Sequence, residues 1–522
     1  MLRVRERAFA PLCNRSIEDL VPADHFYRHL DAKLDLSFLR EWVEHLYAEN
    51  GRPAVDPVVF FRLQLVMFFE GIRSERQLMR VAADRLSLRW FLGYDLDERL
   101  PDHSSLTRIR ERYGLAIFQR FFERVVELCR GAGLVWGEEL FFDATKVRAN
   151  ADVDSLVPRF YWKAKRHLDE LFQAEPETRA EVEPAAGEEG AAPARGDALP
   201  EPARVGLPGP ESPEDRARLA EENRAAWKLL ERRKLDPDRP PVGRYRRLTD
   251  LRVSTTDPDA TPMRLKGEGL RLGYYDHYCV DGGKARVILT VLVTPADVME
   301  NAPMLDMLRR VRFRWQVRPK RAVGDTAYGT AENIQALEDA GIRAYVPLPD
   351  WELRTPFYGA NRFTYDGERD EYRCPQGQPL RRRKAMADHH GVQYRADAAA
   401  CNACPVKAAC TDSAHGRSVL RPFLAEYLER VRAYHETPAY LRAMRKRQVW
   451  VEPLFGEAKD WHGLRRFRLR GLDKVNIEAL LVAAGQNLKR LLKKWGWGRR
   501  PWPTGGTGWP SRTPSPASLS PS

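Results

Sequence analysis

Apolar positions recur at helical spacing through the first 130 residues, with charged positions between them. Asp56 and Pro57 form an N-cap and first-turn proline before VVFFRLQLVMFFEGI, whose apolar density predicts a buried helix. Ser74 with Gln77 gives a capping-box pattern ahead of LMRVAADRLSLRWFLG. HSSLTRIRERYG and AIFQRFFERVVELCRGAG follow as two amphipathic helices, the second closed by glycine.

The period then changes. EELFFDATKVRANA is short and apolar and predicts a strand ending at Asp143. A charged helical stretch runs from about Ser155 to Phe172. Residues 173–215 are rich in Ala, Pro, Gly and Glu with few aromatics, so they bury too little apolar surface to offset chain entropy and predict a disordered insert. RARLAEENRAAWKLLERRKLD predicts a lone helix after it. Two β-rich runs flank Asp281-Gly282-Gly283-Lys284, a hairpin signal. PKRAVGDTAYGTAENIQALEDAGIRAYVPLP predicts strand, turn, helix, strand, with Asp325 at the end of the first strand, Thr330 as N-cap and Gly341 closing the helix. Long helices run from about Pro422 to Trp495, and the Pro/Ser/Gly-rich tail 497–522 predicts disorder. Together these elements give an α/β chain with a helical N-terminal domain and a mixed sheet flanked by helices.

With 522 residues the chain has room for two or three domains. Its formal charge of +13 favours an anionic partner, nucleic acid first. No apolar run approaches the roughly 18 residues that span a bilayer. The start, MLRVRERAFAPLC, lacks the apolar core of a secretory signal. Seven cysteines, an odd number clustered late, argue for a reducing compartment, and the expectation is a cytoplasmic protein.

Candidate chemistry lies in three carboxylates. Asp143 and Asp325 each end an apolar run and are followed by Ala or Thr. An unpaired charge at such a place is costly unless something binds it, and Mg²⁺ takes one or two carboxylates with hard oxygen ligands. Glu452 is the third candidate, seven residues before Lys459 and on the same helix face. Glu457 lies about 140° around that helix and is read as solvated. Cys374, Cys401, Cys404 and Cys410 hold one CxxC and two outlying thiols, a set that suits a tetrahedral structural Zn²⁺. Cys13, Cys129 and Cys279 read as buried apolar residues. Trp461 and His462 have the spacing of core residues, and Asp257 and Asp259 that of turn residues, so none is assigned chemistry.

DATKVRANA, AVGDTAYG and VEPLFGEAK…GLRRFRLRGLDKVNIEALLVAAGQNLKRL together resemble the three catalytic blocks of bacterial insertion-sequence DDE transposases. The resemblance implies a ribonuclease-H-like catalytic core over 136–350 and 422–495. It also implies a helical DNA-binding domain over 1–130 and a cysteine-rich, zinc-binding insert over 360–420. It implies that Asp143, Asp325 and Glu452 bind two Mg²⁺ or Mn²⁺ ions, and that Lys459 is the lysine of the family's Glu-x6-Lys signature. Arg447 stands one place from the signature arginine, with Gln448 at that place and Arg445 where some members have tyrosine. Lys459, Arg447, Arg465, Arg466, Arg468 and Arg470 would contact DNA phosphates. The implied activity is cleavage and strand transfer at the element's terminal inverted repeats, on double-stranded DNA and its target, by a homodimer associated with the nucleoid. The alternative is a non-catalytic, zinc-containing DNA-binding regulator or a decayed transposase.

Overall fold

The computed structural model describes residues 15–47, 54–173, 252–349, 356–386 and 390–497. The insert at 173–215 (beyond its first residue), the lone helix after it, the tail after Trp497 and Cys13 lie outside the described residues.

The N-terminal region is helical, as the spacing predicts: α1 (Ile17–Leu20), α2 (Phe26–Lys33), α3 (Phe38–Val43), α4 (Pro57–Phe69), α5 (Glu75–Asp84), α6 (Leu86–Leu92) and α7 (His103–Gly131). Asp56 caps α4 by accepting from the Val58 amide at 2.8 Å, and Ser74 caps α5 by accepting from Gln77 at 3.3 Å. The two helices expected over 103–131 are one element broken at Gly114, whose φ of 62° only glycine adopts freely.

The sheet that follows is built from β1 (Glu139–Arg148), β4 (Thr261–Leu265), β5 (Gly269–Asp281), β6 (Ile288–Pro295), β7 (Arg321–Val323) and β8 (Arg343–Tyr345). β2 (Leu156–Pro158) and β3 (Arg252–Ser254) pair apart from it, and α8 (Arg159–Gln173) follows β2. β6, β5 and β1 run antiparallel, and β7 and β8 continue parallel to β1. Three antiparallel strands followed by two parallel ones make the ribonuclease-H-like sheet. β4 shares an edge of β5 with β6, pairing its first residues. The Asp281 hairpin forms as expected. Both carboxylate oxygens of Asp281 are taken up by the amides of Trp136, Gly137 and Gly283, which fixes the turn.

β1 does not end at Asp143. It runs five residues further, paired with β5 from Asp143↔Tyr278 to Arg148↔Gly273. Only the β7 ladder stops early, at Phe141↔Val323. The polar run Thr145-Lys146 hid the continuation, because its partner strand lies more than a hundred residues away.

Helices α9 (Met304–Trp315) and α10 (Ala331–Asp339) follow β6 and β7. Thr330 caps α10 through the Asn333 amide, and Gly341 (φ 71°) ends it. The C-terminal helices are α13 (Ala425–His435), α14 (Pro438–Trp450), α15 (Glu452–Asp460) and α16 (Leu472–Lys494). α16 is buried on almost all sides, packing on α4, α7 and β6. A Cβ at Gly485 would sit 2.5 Å from the Phe68 ring, so α4 and α16 approach as closely as backbone permits. Two asparagines of α16 clasp the free edge of β6. Asn476 accepts from the Val293 amide at 2.8 Å and donates to its carbonyl at 3.1 Å, and Asn487 does the same at Ile288 at 2.9 and 2.8 Å. They satisfy edge groups that would otherwise be buried unpaired. The N-terminal helices and the sheet therefore share one continuous apolar core.

A second, smaller unit lies between β8 and α13. Its five antiparallel strands, β9 (Thr364–Asp366), β10 (Glu371–Arg373), β11 (Pro379–Met386), β12 (Gly391–Ala396) and β13 (Ser418–Pro422), pair in the order β13-β12-β11-β10-β9. α11 (Ala398–Asn402) and α12 (Lys407–Cys410) carry Cys401 and Cys410, with Cys404 in the turn between them. No helix among the described residues is long and apolar enough to cross a membrane.

Candidate active site

Asp143 lies where β1 loses β7 as a partner. Continuing the parallel register two places past Phe141↔Val323 brings Asp325 level with it. Asp325 caps the turn at 326–328, accepting from the Ala327 amide at 2.8 Å. Asp143 is nearly buried, accepts from its neighbour Ala144 at 2.9 Å, and meets the Arg447 guanidinium at 3.2 Å. Burial pushes its carboxyl up, Arg447 and the Ala144 amide oppose, and the carboxylates of Asp325 and Glu300 push it up again, to about 6. Glu300, in the loop after β6, is also held above its ordinary value. Burial and Asp325 raise it, while Lys146 and Arg447 draw it down. Asp143 and Asp325 are thus brought together, and a third carboxylate the sequence did not suggest stands with them. Nothing local singled out Glu300; the turn at 326–328 reaches its loop through Asn333, which donates to the carbonyls of both Asn301 and Tyr328.

α15 lies over one face of β1 and β5. Residues opposite one another in an antiparallel pair share a face, so Asp143, Thr145, Tyr278 and Asp276 point the same way. Phe455 stacks on Tyr278 at 4.4 Å, and the Lys459 ammonium donates to Thr145 Oγ1 at 2.5 Å. Glu452 lies on the same helical stripe one turn before Phe455, toward the end of β1 that meets β7. Its carboxylate is exposed and makes no hydrogen bond or ion pair among the described residues. Among those residues no three His, Cys, Asp or Glu side chains stand as a ready-made metal-ligand set. Asp276 is fully buried below Lys459, and burial drives its carboxyl far up despite the nearby ammonium.

Glu457 is not solvated. It faces α16, where Lys489 and Gln486 donate to it and Arg490 lies at 3.7 Å. Burial, which would raise its carboxyl, is overcome by His462, Lys489 and Arg490, and the group is drawn down to about 2. It anchors α15 to α16, through cations some thirty residues further along the chain.

The arginine loop after Lys459 is fixed by its backbone. Glu478 of α16 accepts from the amides of Arg468 and Leu469, Asp257 from Gly471 and Asp259 from Leu472. Asp257 and Asp259 therefore cap α16 from a distance, where its own N-cap is a glycine without a side chain. Residues 465–467 run beside the end of β1, with the Phe467 amide donating to the Arg148 carbonyl at 2.8 Å. Asn150, in the first sequence block, holds the loop by accepting from Arg466 (2.8 Å) and Arg470 (2.9 Å) and donating to the Arg468 carbonyl (2.9 Å).

The expected phosphate-binding cations divide. Arg465, Arg466 and Arg470 are exposed. Arg468 pairs with Glu75 of α5 at 2.9 Å, beside Arg110, and serves as a pin between the helical region and the loop. Arg447 faces inward to Asp143, with its side chain 18% exposed. Trp461 is not core but 75% exposed, whereas its neighbour His462 stacks on Phe68 at 3.8 Å.

In the smaller unit, Cys374, Cys401, Cys404 and Cys410 line one cavity of about 30 Å³. Backbone amides donate to two of the sulfurs, Gln378 to Cys374 at 3.3 Å and Arg417 to Cys401 at 3.4 Å. Burial raises the Cys410 thiol, Arg417 opposes, and the other three thiols raise it further. Cys129 and Cys279 are buried, as expected.

An α/β chain with a helical N-terminal region and a ribonuclease-H-like sheet is the class these elements define. Residues 15–112 match the family model of a transposase domain, DUF772, and residues 373–492 match that of a transposase DDE domain. These two matches support an insertion-sequence DDE transposase. The second match includes Glu452, Lys459 and the arginine loop, and begins after Asp143 and Asp325. Searches among curated proteins and among solved structures found no match.

Proposed function

We propose that this transposase cuts DNA at the terminal inverted repeats of its element and joins the freed 3′ end to target DNA, with Asp143, Asp325 and Glu452 as its metal ligands. The observation that carries the reading is the placement of Asp143 and Asp325 level with one another, two residues past the last β1–β7 pair, Phe141↔Val323. Burial, joined by the carboxylates of Asp325 and Glu300, raises the Asp143 carboxyl to about 6 against the pull of Arg447. Bound magnesium would neutralise that repulsion and supply charge stabilisation at a scissile phosphate, with water made nucleophilic. The chain's own groups do the rest. Arg447 orients the Asp143 carboxylate. Lys459, held by Thr145, presents an ammonium one step along the same face. Arg465, Arg466 and Arg470, on a loop whose backbone is fixed, seat the phosphates of the duplex without reading its sequence. The first step breaks a phosphodiester by water and leaves a 3′-hydroxyl; the second exchanges that hydroxyl for a bridging oxygen of the target.

For the four cysteines we propose one structural Zn²⁺, which would draw them into a tighter set than they form unliganded. What supports it is that soft sulfur donors line a single small cavity and two accept backbone N–H bonds of the kind that orient thiolate ligands.

A labelled terminal-repeat duplex incubated with Mg²⁺ tests the reading. Cleavage by the native protein and a loss of at least ~10³-fold in Asp143→Asn, Asp325→Asn and Glu452→Gln, with DNA binding retained, is the expected result. Binding without cleavage by the native protein would favour a regulator or a decayed element.

A further inference from the structure

The smaller unit has a use of its own in its outer sheet face. One face of the five strands covers a separate small core of Phe363, Tyr372, Leu380, Tyr394, Ala396 and Val419. The other face carries cations. On the central strand β11, Arg381, Arg383 and Lys384 are exposed, and none has a hydrogen bond or ion pair among the described residues. Arg395 of β12 stands opposite Arg381. The β11–β12 register slips between Arg382 and Lys384, so Arg383 is an extra residue in the strand. Such a bulge re-aims side chains and adds a cation to the row. By contrast, Arg382 pairs with Asp370 and Arg373 with Glu371. An unneutralised row is therefore a departure within the same unit.

Its position matters as much as its charge. β7 and β8 are parallel and level, Val323 beside Tyr345. The chain thus leaves β8 for the smaller unit at the sheet edge where Asp325 follows β7. It returns through α13, bolted to that edge by Tyr434 on Glu338 (2.9 Å), Tyr427 on Asp339 (2.7 Å) and His435 on the Val346 carbonyl (3.0 Å). The smaller unit is thus tethered to the strand ends that carry the carboxylates.

We infer that the outer face of β11, through Arg381, Arg383 and Lys384, is a second docking surface for the phosphate backbone of duplex DNA flanking the cleavage site. The inference rests on the reading of the protein as a DNA-cutting transposase. Successive outward residues on a strand lie ~7 Å apart, close enough to follow one groove wall, and contacts of this kind add affinity without sequence preference.

The test compares the full-length protein with an Arg381→Ala/Arg383→Ala/Lys384→Ala variant on a labelled mixed-sequence duplex over a salt series. The variant should lose roughly 10- to 100-fold in affinity near physiological salt, and its log–log salt slope should fall by about 2 to 3. An Arg381→Lys/Arg383→Lys variant should keep the native slope, because a point charge suffices for a phosphate. An unchanged melting curve shows that the triple variant folds. Single-turnover cleavage at saturating protein should stay native. A triple variant with native affinity and slope overturns the inference and leaves the cleavage reading intact. A native protein with no salt-dependent duplex binding overturns both.

Discussion

The large core and the small one hold their sites by opposite means. Asp143, Asp325 and the arginine loop stand on strands and helices that share one core running from α4 through α16 to β8. Among the described residues the core of the cysteine unit holds seven buried apolar residues, Cys410 among them, with the Cys374 and Cys401 thiols at its margin. A core of that size supplies little net stability, and small units of this kind depend on a staple. One site is rigid because the fold around it is large. The other is rigid only if something ties its sulfurs together.

Chelation breaks the comparison most sharply. Stripping metal from the purified protein with a strong chelator should expose residues 356–423 to protease while the melting transition of the larger core is unchanged. Structural zinc carries on the order of 10 kcal/mol of folding energy in small units, so the effect should be complete rather than graded. Protein with no bound zinc and an unaltered protease pattern would refute the zinc assignment.

A smaller effect sharpens the other side. The Asp143 carboxyl sits at about 6 in the fold against 3.8 ordinarily. The folded state therefore holds this proton over a range where the unfolded chain has lost it. In metal-free protein stability should fall as pH rises from about 4 to 6. Asp143→Asn removes that cost and should stabilise the metal-free protein at neutral pH by on the order of 1–2 kcal/mol, flattening the pH dependence. Chemical denaturation at pH 5 and pH 7 measures it. An Asn variant less stable than native at pH 7 would contradict a cost of burying this charge beside Asp325 and Glu300.

Much of the fold was legible in the chain because its signals are local. The Asp56 and Ser74 caps, the Asp281 hairpin, Asp325 before its turn and Gly341 after α10 each follow from a few adjacent residues. What stayed hidden depends on distant partners. The second half of β1 reads as polar because its ladder partner is β5. Glu457 reads as surface because its cations lie on α16. Arg468 reads like its neighbours because Glu75 is nearly four hundred residues earlier. The five short strands of the cysteine unit went unread, since their charged outer positions mask the alternation. Of the candidate site, Asp143, Asp325, Glu452 and Lys459 are named by the sequence alone and remain proposals, whereas Glu300 and Asn150 join them only when the chain is folded.

The account stands on a shared divalent-metal site at positions 143, 325 and 452, and Glu452 is the member whose carboxylate stands free. Calorimetric titration of Mn²⁺ into the DNA-bound protein tests this directly, with Asp143→Asn, Asp325→Asn, Glu452→Gln and Glu300→Gln compared. Binding should be lost in the first three and kept in the fourth. Native Mn²⁺ affinity in Glu452→Gln, with loss in Glu300→Gln, would contradict the account and move the third ligand to the loop after β6.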